Sequence, residues 1–312
     1  MGNILWRYRL QHKRNIISQS SEEDNLHEVH FVCKIHIQIF GLNKLFDLSN
    51  QQPTTVSITL RFILILATII SAIYAQGQCG VSKVPQSRVV NGVEAPQGAW
   101  PWIVSLQTSS GFHFCGGTIL SPTWIMTASH CIDNNPTAIA VVAGAHNIKA
   151  MEWSQQKQWA KRYILHPNYR RSDFYADIAL IELRRPFVFN DRVNRPCLPS
   201  GFNDYPPVGT WCYIAGWGQT QYSPIIRPDK LQQARLPIME QHGKYDTVAG
   251  FGVQGKGNAC KGDSGGPLMC KSASGQWIVE GALSWGYKGC HSESGYTPLT
   301  KYLNWVKQYA PI

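Results

Sequence analysis

Charged side chains are scarce in this chain. They make up 15% of its 312 residues, against roughly 25% in an ordinary globular sequence. Chains that stay disordered are charge-rich and poor in aromatics, whereas aromatic residues here reach 11%, so disorder of the whole chain is excluded. Glycine (27) and proline (18) follow no period, which excludes collagen-like and low-complexity readings. No internal repeat is present. No Cys-x-x-Cys pair occurs and no Cys/His cluster has zinc-finger spacing, which argues against a structural zinc site. There is no Asn-x-Ser/Thr acceptor, so N-glycosylation is not expected. Met1-Gly2 is followed by Trp6 at the sixth position, where a myristoylation signal needs Ser or Thr.

What is present is apolar and weakly basic. Hydrophobic residues are 44% of the chain and Trp alone counts 11. The length allows one large domain or two ordinary ones at roughly 100–200 residues each, enough to bury a sizeable core. The net charge is +10, from 29 Lys and Arg against 19 Asp and Glu. From Val89 onward 20 basic face 14 acidic residues, and the densest basic spots are pairs such as Lys161-Arg162, Arg170-Arg171 and Arg184-Arg185. Scattered pairs are surface chemistry rather than a nucleic-acid-binding stripe.

The nine cysteines stand at 33, 79, 115, 131, 197, 212, 260, 270 and 290. Only Cys33 precedes the longest apolar run, Phe62 to Ala75, which follows Arg61 and ends in small residues. That run reads as the core of a secretory signal over 60–75, being shorter than the roughly 20 residues of a membrane helix. Eight cysteines beyond an export signal predict four disulfides, with connectivity left open by spacing alone. The signal lies far from Met1, and no second Met occurs before Met126. Residues 1–59 are therefore read as an extension, disordered or foreign to the natural product. The alternative is a type II membrane protein, with 1–59 as a cytoplasmic tail and 62–75 as its anchor.

Residues 76–88 read as a connector, and 89–312 as the folded domain. Short β-rich runs separated by turn residues fill this domain: 102–106, 138–142, 178–183, 211–215 and 277–281. Such spacing predicts barrels or sandwiches. One helical pattern closes the chain, with Leu299, Leu303, Val306 and Ala310 recurring at three- and four-residue intervals after Pro298.

Three distant segments carry chemistry. Thr127-Ala-Ser-His130-Cys131 sets a histidine after a hydrophobic strand. Asp177-Ile-Ala-Leu-Ile opens another strand with a lone carboxylate. Gly262-Asp-Ser264-Gly-Gly-Pro267 holds a serine in a tight turn. A serine hydroxyl is a weak nucleophile that needs a neighbouring base, itself oriented by a third group. Singly, each residue has an ordinary structural use; together they form a nucleophile, base and orienter set.

These segments, with Arg88-Val-Val-Asn-Gly92, Cys115-Gly-Gly117, Gly216-Trp-Gly218 and Ser284-Trp-Gly286 in the same order, resemble the chymotrypsin-like family of serine proteases from about Val89 to Trp305. The resemblance implies an all-β fold of two six-stranded antiparallel β-barrels with a C-terminal α-helix. It implies Ser264 as nucleophile, His130 as base and Asp177 as orienter, with the N–H groups of Gly262 and Ser264 as the oxyanion hole. Asn258, Ser284, Trp285 and Gly286 match substrate-binding positions. Arg88-Val89 matches the zymogen cleavage bond, with the new Val89 ammonium pairing Asp263. The implied disulfides are Cys115–Cys131, Cys212–Cys270, Cys260–Cys290 and a propeptide tether, Cys79–Cys197.

Asn258 at the pocket floor, where trypsins carry Asp, makes cleavage after Lys or Arg unexpected. Gly286 suits a large apolar or aromatic side chain, and Gly275-Gln-Trp277 is similar to pancreatic-type elastases. Glu240 to Val248 is shorter than the family's segment and lacks its two cysteines; the pocket wall opposite Gly286, near Ser294-Gly295, is shorter than the family's too. Ala145 replaces the acidic ligand of calcium-binding relatives, so no metal is expected, and no cofactor. The expected protein is a secreted, monomeric, digestive-type endopeptidase acting on protein or peptide substrates. Its partners are an activating protease that cleaves after Arg88 and protein inhibitors, with no nucleic acid. The other readings are the membrane-anchored protease and a protease-fold binding protein that lost catalysis with the shortened 240–248 segment.

Overall fold

The computed structural model describes residues 79–85, 92–202, 204–221, 223–240, 248–251, 258–286 and 293–312. The chain divides into two units, Met1–Tyr74 and Ala75–Ile312, and every described residue belongs to the second. The signal or anchor segment, Arg88, Val89, Cys290 and residues 241–247 lie outside the described residues.

The first half is a closed barrel. After the short β1 (Val93–Glu94) come β2 (Ile103–Gln107), β3 (His113–Ser121), β4 (Trp124–Thr127), β5 (Ala140–Ala143), β6 (Gln156–Leu165) and β7 (Ala179–Leu183). They close in the order β2-β3-β4-β7-β6-β5, all pairs antiparallel. Strands β2, β4 and β5 are buried along their whole length, while β6 alternates half-buried and exposed residues over its first half. That difference is the barrel's inside against its rim.

The second half contains β8 (Trp211–Gly216), β9 (Gln232–Glu240), β10 (Val248–Phe251), β11 (Pro267–Lys271), β12 (Trp277–Gly286) and β13 (Glu293–Pro298). With β1 they form a seven-stranded sheet in the order β1-β9-β10-β13-β12-β11-β8, and β9 pairs with β8 as well. The expected six-stranded barrel is met in the first half; the second half is this sheet. Helix α1 (Leu299–Tyr309) follows, and Leu299, Leu303, Val306 and Ala310 are all buried. They pack with Leu120, Trp124, Met126 and Leu180 of the first barrel. Each Leu or Val side chain so removed from water contributes about 1.5–3 kcal/mol, so the helix fastens the second half onto the first.

One core runs through both halves, from Trp100 and Trp102 to Tyr213 and Trp277. Ring centroids in this aromatic group stand 4.9 to 6.1 Å apart with edge-on or tilted planes, the arrangement ring quadrupoles favour. Among pairs of described residues, three disulfides are present, Cys79–Cys197, Cys115–Cys131 and Cys212–Cys270. Cys260 is also disulfide-bonded; its expected partner, Cys290, is outside the described residues.

Candidate active site

Strand register brings the first two residues together. In the β4–β7 ladder Thr127 stands opposite Ala179. The chain leaves β4 into a single 3₁₀ turn, Ser129–Cys131, and enters β7 from Asp177, so His130 and Asp177 meet at the strand ends. Phe174 (φ 55°) and Ala176 (φ 51°) take left-handed backbone conformations just ahead of Asp177, which non-glycine residues rarely adopt. The Phe174 ring stands edge-on to the His130 imidazole at 5.6 Å.

Asp177 is fully buried and accepts three hydrogen bonds. Its Oδ1 takes the His130 backbone N–H at 2.9 Å, and its Oδ2 takes His130 Nδ1–H and the Ser284 hydroxyl, both at 2.7 Å. A carboxylate only accepts, so the ring proton sits on Nδ1 and the Nε2 lone pair is left for other work. The Sγ atoms of Cys115 and Cys131 also lie beside His130, but they are joined to each other and offer no thiolate to a metal.

Ser264 sits in the turn before β11, held by glycines that nothing larger replaces. Gly265 has φ 76°, and a Cβ there would fall 2.1 Å from Thr127 Oγ1 and 2.9 Å from Ala128 N. This close approach presses the serine turn against the strand end that carries His130. Gly116 N–H donates to Ser264 O at 2.8 Å, and Gly265 N–H to Leu283 O at 2.8 Å. No hydrogen bond joins Ser264 Oγ to His130 Nε2 in this structure. Such catalytic bonds are often open without substrate and tighten in the complex.

Within the same turn, Asp263 N–H is bonded to Cys260 O. The N–H groups of Gly262 and Ser264 on either side of it have no acceptor among the described residues. Two such donors, one of them on Ser264 itself, are the kind of backbone group that can make an anion-binding concavity. Gly262 O accepts from His113 Nε2 at 3.0 Å, and His113 Nδ1 meets Ser105 Oγ at 2.8 Å. Burial pushes His113 down to about 4, so it stands neutral, a donor on one side and an acceptor on the other. The sequence reading missed His113: its role depends on partners 8 and 149 residues away.

The Asp263 carboxylate is turned to the backbone of Gly216, Gly218 and Cys260. Its carboxylate takes the N–H of Gly218 at 2.8 Å and of Cys260 at 3.0 Å. It lies so close to Gly216 and Gly218 that a Cβ would come within 2.0 and 2.4 Å of it. Burial raises its pKa to about 6 against the two amides, and no cation among the described residues pairs with it. Val89, its expected partner, is outside them.

The expected substrate-binding residues cluster where β12 and β13 meet the turn before Cys260. Gly286 stands opposite Ser294 and Trp285 opposite Gly295, where a Cβ would sit 2.1 Å from the indole nitrogen. Ser294 Oγ donates to Asn258 Oδ1 at 2.9 Å. The sequence reading placed Asn258, Trp285, Gly286 and a wall near Ser294-Gly295 here, but not the Tyr296 side chain. It assigned Ser284 to substrate without its hydroxyl bond to Asp177.

The family profile described as Trypsin matches residues 89–306. The chain is 34% identical over 249 residues to Transmembrane protease serine 9 of Rattus norvegicus, a match covering 74% of this chain and 23% of that protein. The chain thus spans about a quarter of the length of that curated relative.

Proposed function

The chain belongs to the trypsin family of serine proteases, and from that premise we propose that it is an exported endopeptidase made active by cleavage after Arg88. The observation that carries this reading is the buried Asp177 carboxylate, bonded to both the backbone and the ring of His130 beside the Ser264 turn.

In this mechanism Ser264 Oγ attacks the scissile carbonyl carbon while His130 Nε2 takes its proton. Asp177 holds the ring in the one tautomer that can do so and faces the imidazolium that forms. Negative charge grows on the carbonyl oxygen, and the N–H groups of Gly262 and Ser264, which have no acceptor among the described residues, are proposed to receive it. Donors fixed before the reaction need no reorganisation, and losing one costs about 10²–10³ in rate in comparable sites. Collapse expels the amine, protonated by His130, and leaves an ester on Ser264. Water then repeats the sequence, with His130 again as base. Residues Ser284 to Gly286 pair with the substrate backbone as an added strand. The pairing of β8 with β9 supports reading the second sheet as the second barrel.

The substrate side chain before the scissile bond is proposed to be aromatic or large and apolar, because Asn258 lacks the charge that would hold Lys or Arg. Activation is proposed to work through Asp263, whose carboxylate would receive the Val89 ammonium; the tether Cys79–Cys197 keeps the propeptide attached.

A second localisation has a specific observation behind it: the relative is named as a transmembrane protease. No helix among the described residues is long and apolar enough to cross a membrane, and 62–75 is outside them. Retention in membranes after a carbonate wash indicates the anchored form; release indicates secretion.

The test of the activity is hydrolysis of chromogenic peptides ending in Phe, Leu, Ala or Arg by the cleaved protein. We expect turnover of the Phe or Leu peptide that disappears in Ser264→Ala. Folded, correctly cleaved protein that turns over none of them contradicts the endopeptidase reading and leaves the binding-protein one.

A further inference from the structure

Basic residues that are scattered pairs along the sequence meet on one face of the first barrel. Lys161-Arg162 lies in β6, and Arg184-Arg185 follows β7, the strand paired with it. Strand β6 sends alternate side chains outward, and Lys157, Trp159 and Lys161 are all exposed. Regular alternation would turn Arg162 to the opposite face. The register shifts between Ala160 and Arg162, as at a bulge, and both cations reach one carboxylate. Glu182 accepts from Lys161 Nζ at 2.7 Å and from Arg162 Nε at 2.5 Å.

Arg184 is tied to the same strand. Its backbone N–H donates to Trp159 O at 2.9 Å and its Nε–H to Ala160 O at 3.2 Å. The Lys157 ammonium stands 5.4 Å from the centre of the Trp159 ring, a cation–π contact that holds it in place. Arg185 is exposed next to Arg184. Over 156–165 and 179–189, five Lys and Arg thus share one acid, Glu182. No carboxylate among the described residues pairs with Lys157, Arg184 or Arg185. Like charges held side by side repel, so this face works against the fold's own stability.

From Lys157 to Lys161 the strand runs about 13 Å, too far for one small anion to bridge but within the span of a linear polyanion. Protein interfaces are depleted of Lys, and the Trp159 ring, with an ammonium over it, is poorly placed to enter a bilayer. Lys and Arg donors suit the oxygens of phosphate and sulfate groups. In the exported reading this face meets the cell exterior, where linear polyanions are sulfated polysaccharides. We infer that the outer face of β6, with Arg184 and Arg185, binds a linear sulfated polysaccharide. The choice of polyanion rests on the exported reading, whereas the basic face does not.

The probe is heparin, bound to the full chain carrying Ser264→Ala so that no turnover enters the reading. Binding should weaken steeply as salt rises. Lys157→Gln, Arg184→Gln and Arg185→Gln combined should raise Kd about tenfold or more, and flatten the salt slope by about one per cation removed. Lys83, Arg227 and Lys271 are exposed cations elsewhere on the molecule. Replacing these three by Gln removes the same charge and should change Kd by less than about twofold. Equal weakening by the two sets would mean attraction to net charge alone and overturns the site. A second reading needs none of these charge substitutions: bound heparin should protect Lys157 from acetylation, seen by mass spectrometry, while Lys271 stays reactive. Equal modification of Lys157 with and without heparin overturns the site. So does the absence of binding at physiological salt, and duplex DNA or phosphatidylserine vesicles binding as tightly as heparin overturn the choice of a sulfated polysaccharide. Because turnover plays no part, failure here and failure of the endopeptidase reading are separate results.

Discussion

At the scale of single residues, Asp177 shows how much of the site is indirect. Its carboxylate is oriented by three donors, and only one of them is the ring it serves. Ser284 supplies the third from β12, across the two halves of the fold. Removing that hydroxyl leaves the carboxylate one bond short without emptying the site. Ser284→Ala is therefore expected to lower kcat by about tenfold, the worth of one hydrogen bond to a charged group, with little change in KM. Steady-state kinetics on a Phe or Tyr peptide check this. An unchanged kcat would mean that two donors suffice to hold Asp177. The residues legible in the sequence were those in short, distinctive strings: His130, Asp177 and Ser264. His113, Tyr296 and the bond of the Ser284 hydroxyl to Asp177 were not, because each acts through a partner that the folded chain brings near.

At the scale of elements, β12 carries an acid in an unusual place. The β11–β12 ladder pairs Leu268 with Gly281 and Met269 with Val279, so Glu280 is skipped at a bulge. It is 6% exposed, and its Oε2 has no hydrogen-bond partner. Burial, and then the charge of Asp204, raises its pKa from 4.5 to about 8. The folded protein thus keeps a proton that the unfolded chain releases. Stability should be highest below the unfolded value and fall as pH rises from about 4.5 to about 8. Glu280→Gln removes that slope, and by the free-energy equivalent of the shift it gains up to about 5 kcal/mol at pH 8. Melting temperatures from pH 5 to 8 read the difference; parallel curves for the two proteins would show that Glu280 ionises freely. Strands with continuous apolar runs, β2, β5, β7, β8 and the first half of β12, were legible. The glycine-bearing β3 and the Gln- and Lys-rich β6 were not, since barrel closure rather than local hydrophobicity makes them strands. Helix α1 was legible because its buried stripe is regular.

At the scale of the whole molecule, the two halves share one core, and Cys79–Cys197 fastens the segment before Arg88 to the second half. Cleavage after Arg88 should therefore release no propeptide until the disulfides are reduced, which mass spectrometry under the two conditions checks. Under the proposed activation, cleavage would also supply an ammonium for Asp263. Unpaired, that carboxyl titrates near 6 in the fold, so ionising it between about pH 4 and 6 costs stability. Pairing offsets that cost, and the cleaved form is expected to melt higher than the uncleaved one above pH 6. The gain should vanish below about pH 4, and in Asp263→Asn at every pH. Two barrels were read from the sequence through family resemblance, whereas the order of the second sheet depends on pairings between strands far apart in the chain. The central claim is that His130 and Asp177 make Ser264 a nucleophile. The most direct measurement is labelling of the cleaved chain by a fluorophosphonate, with the modified peptide identified by mass. The account predicts phosphonylation at Ser264, lost in Ser264→Ala and strongly slowed in His130→Ala. Folded, cleaved protein that takes no label, or labels as fast without His130, contradicts it.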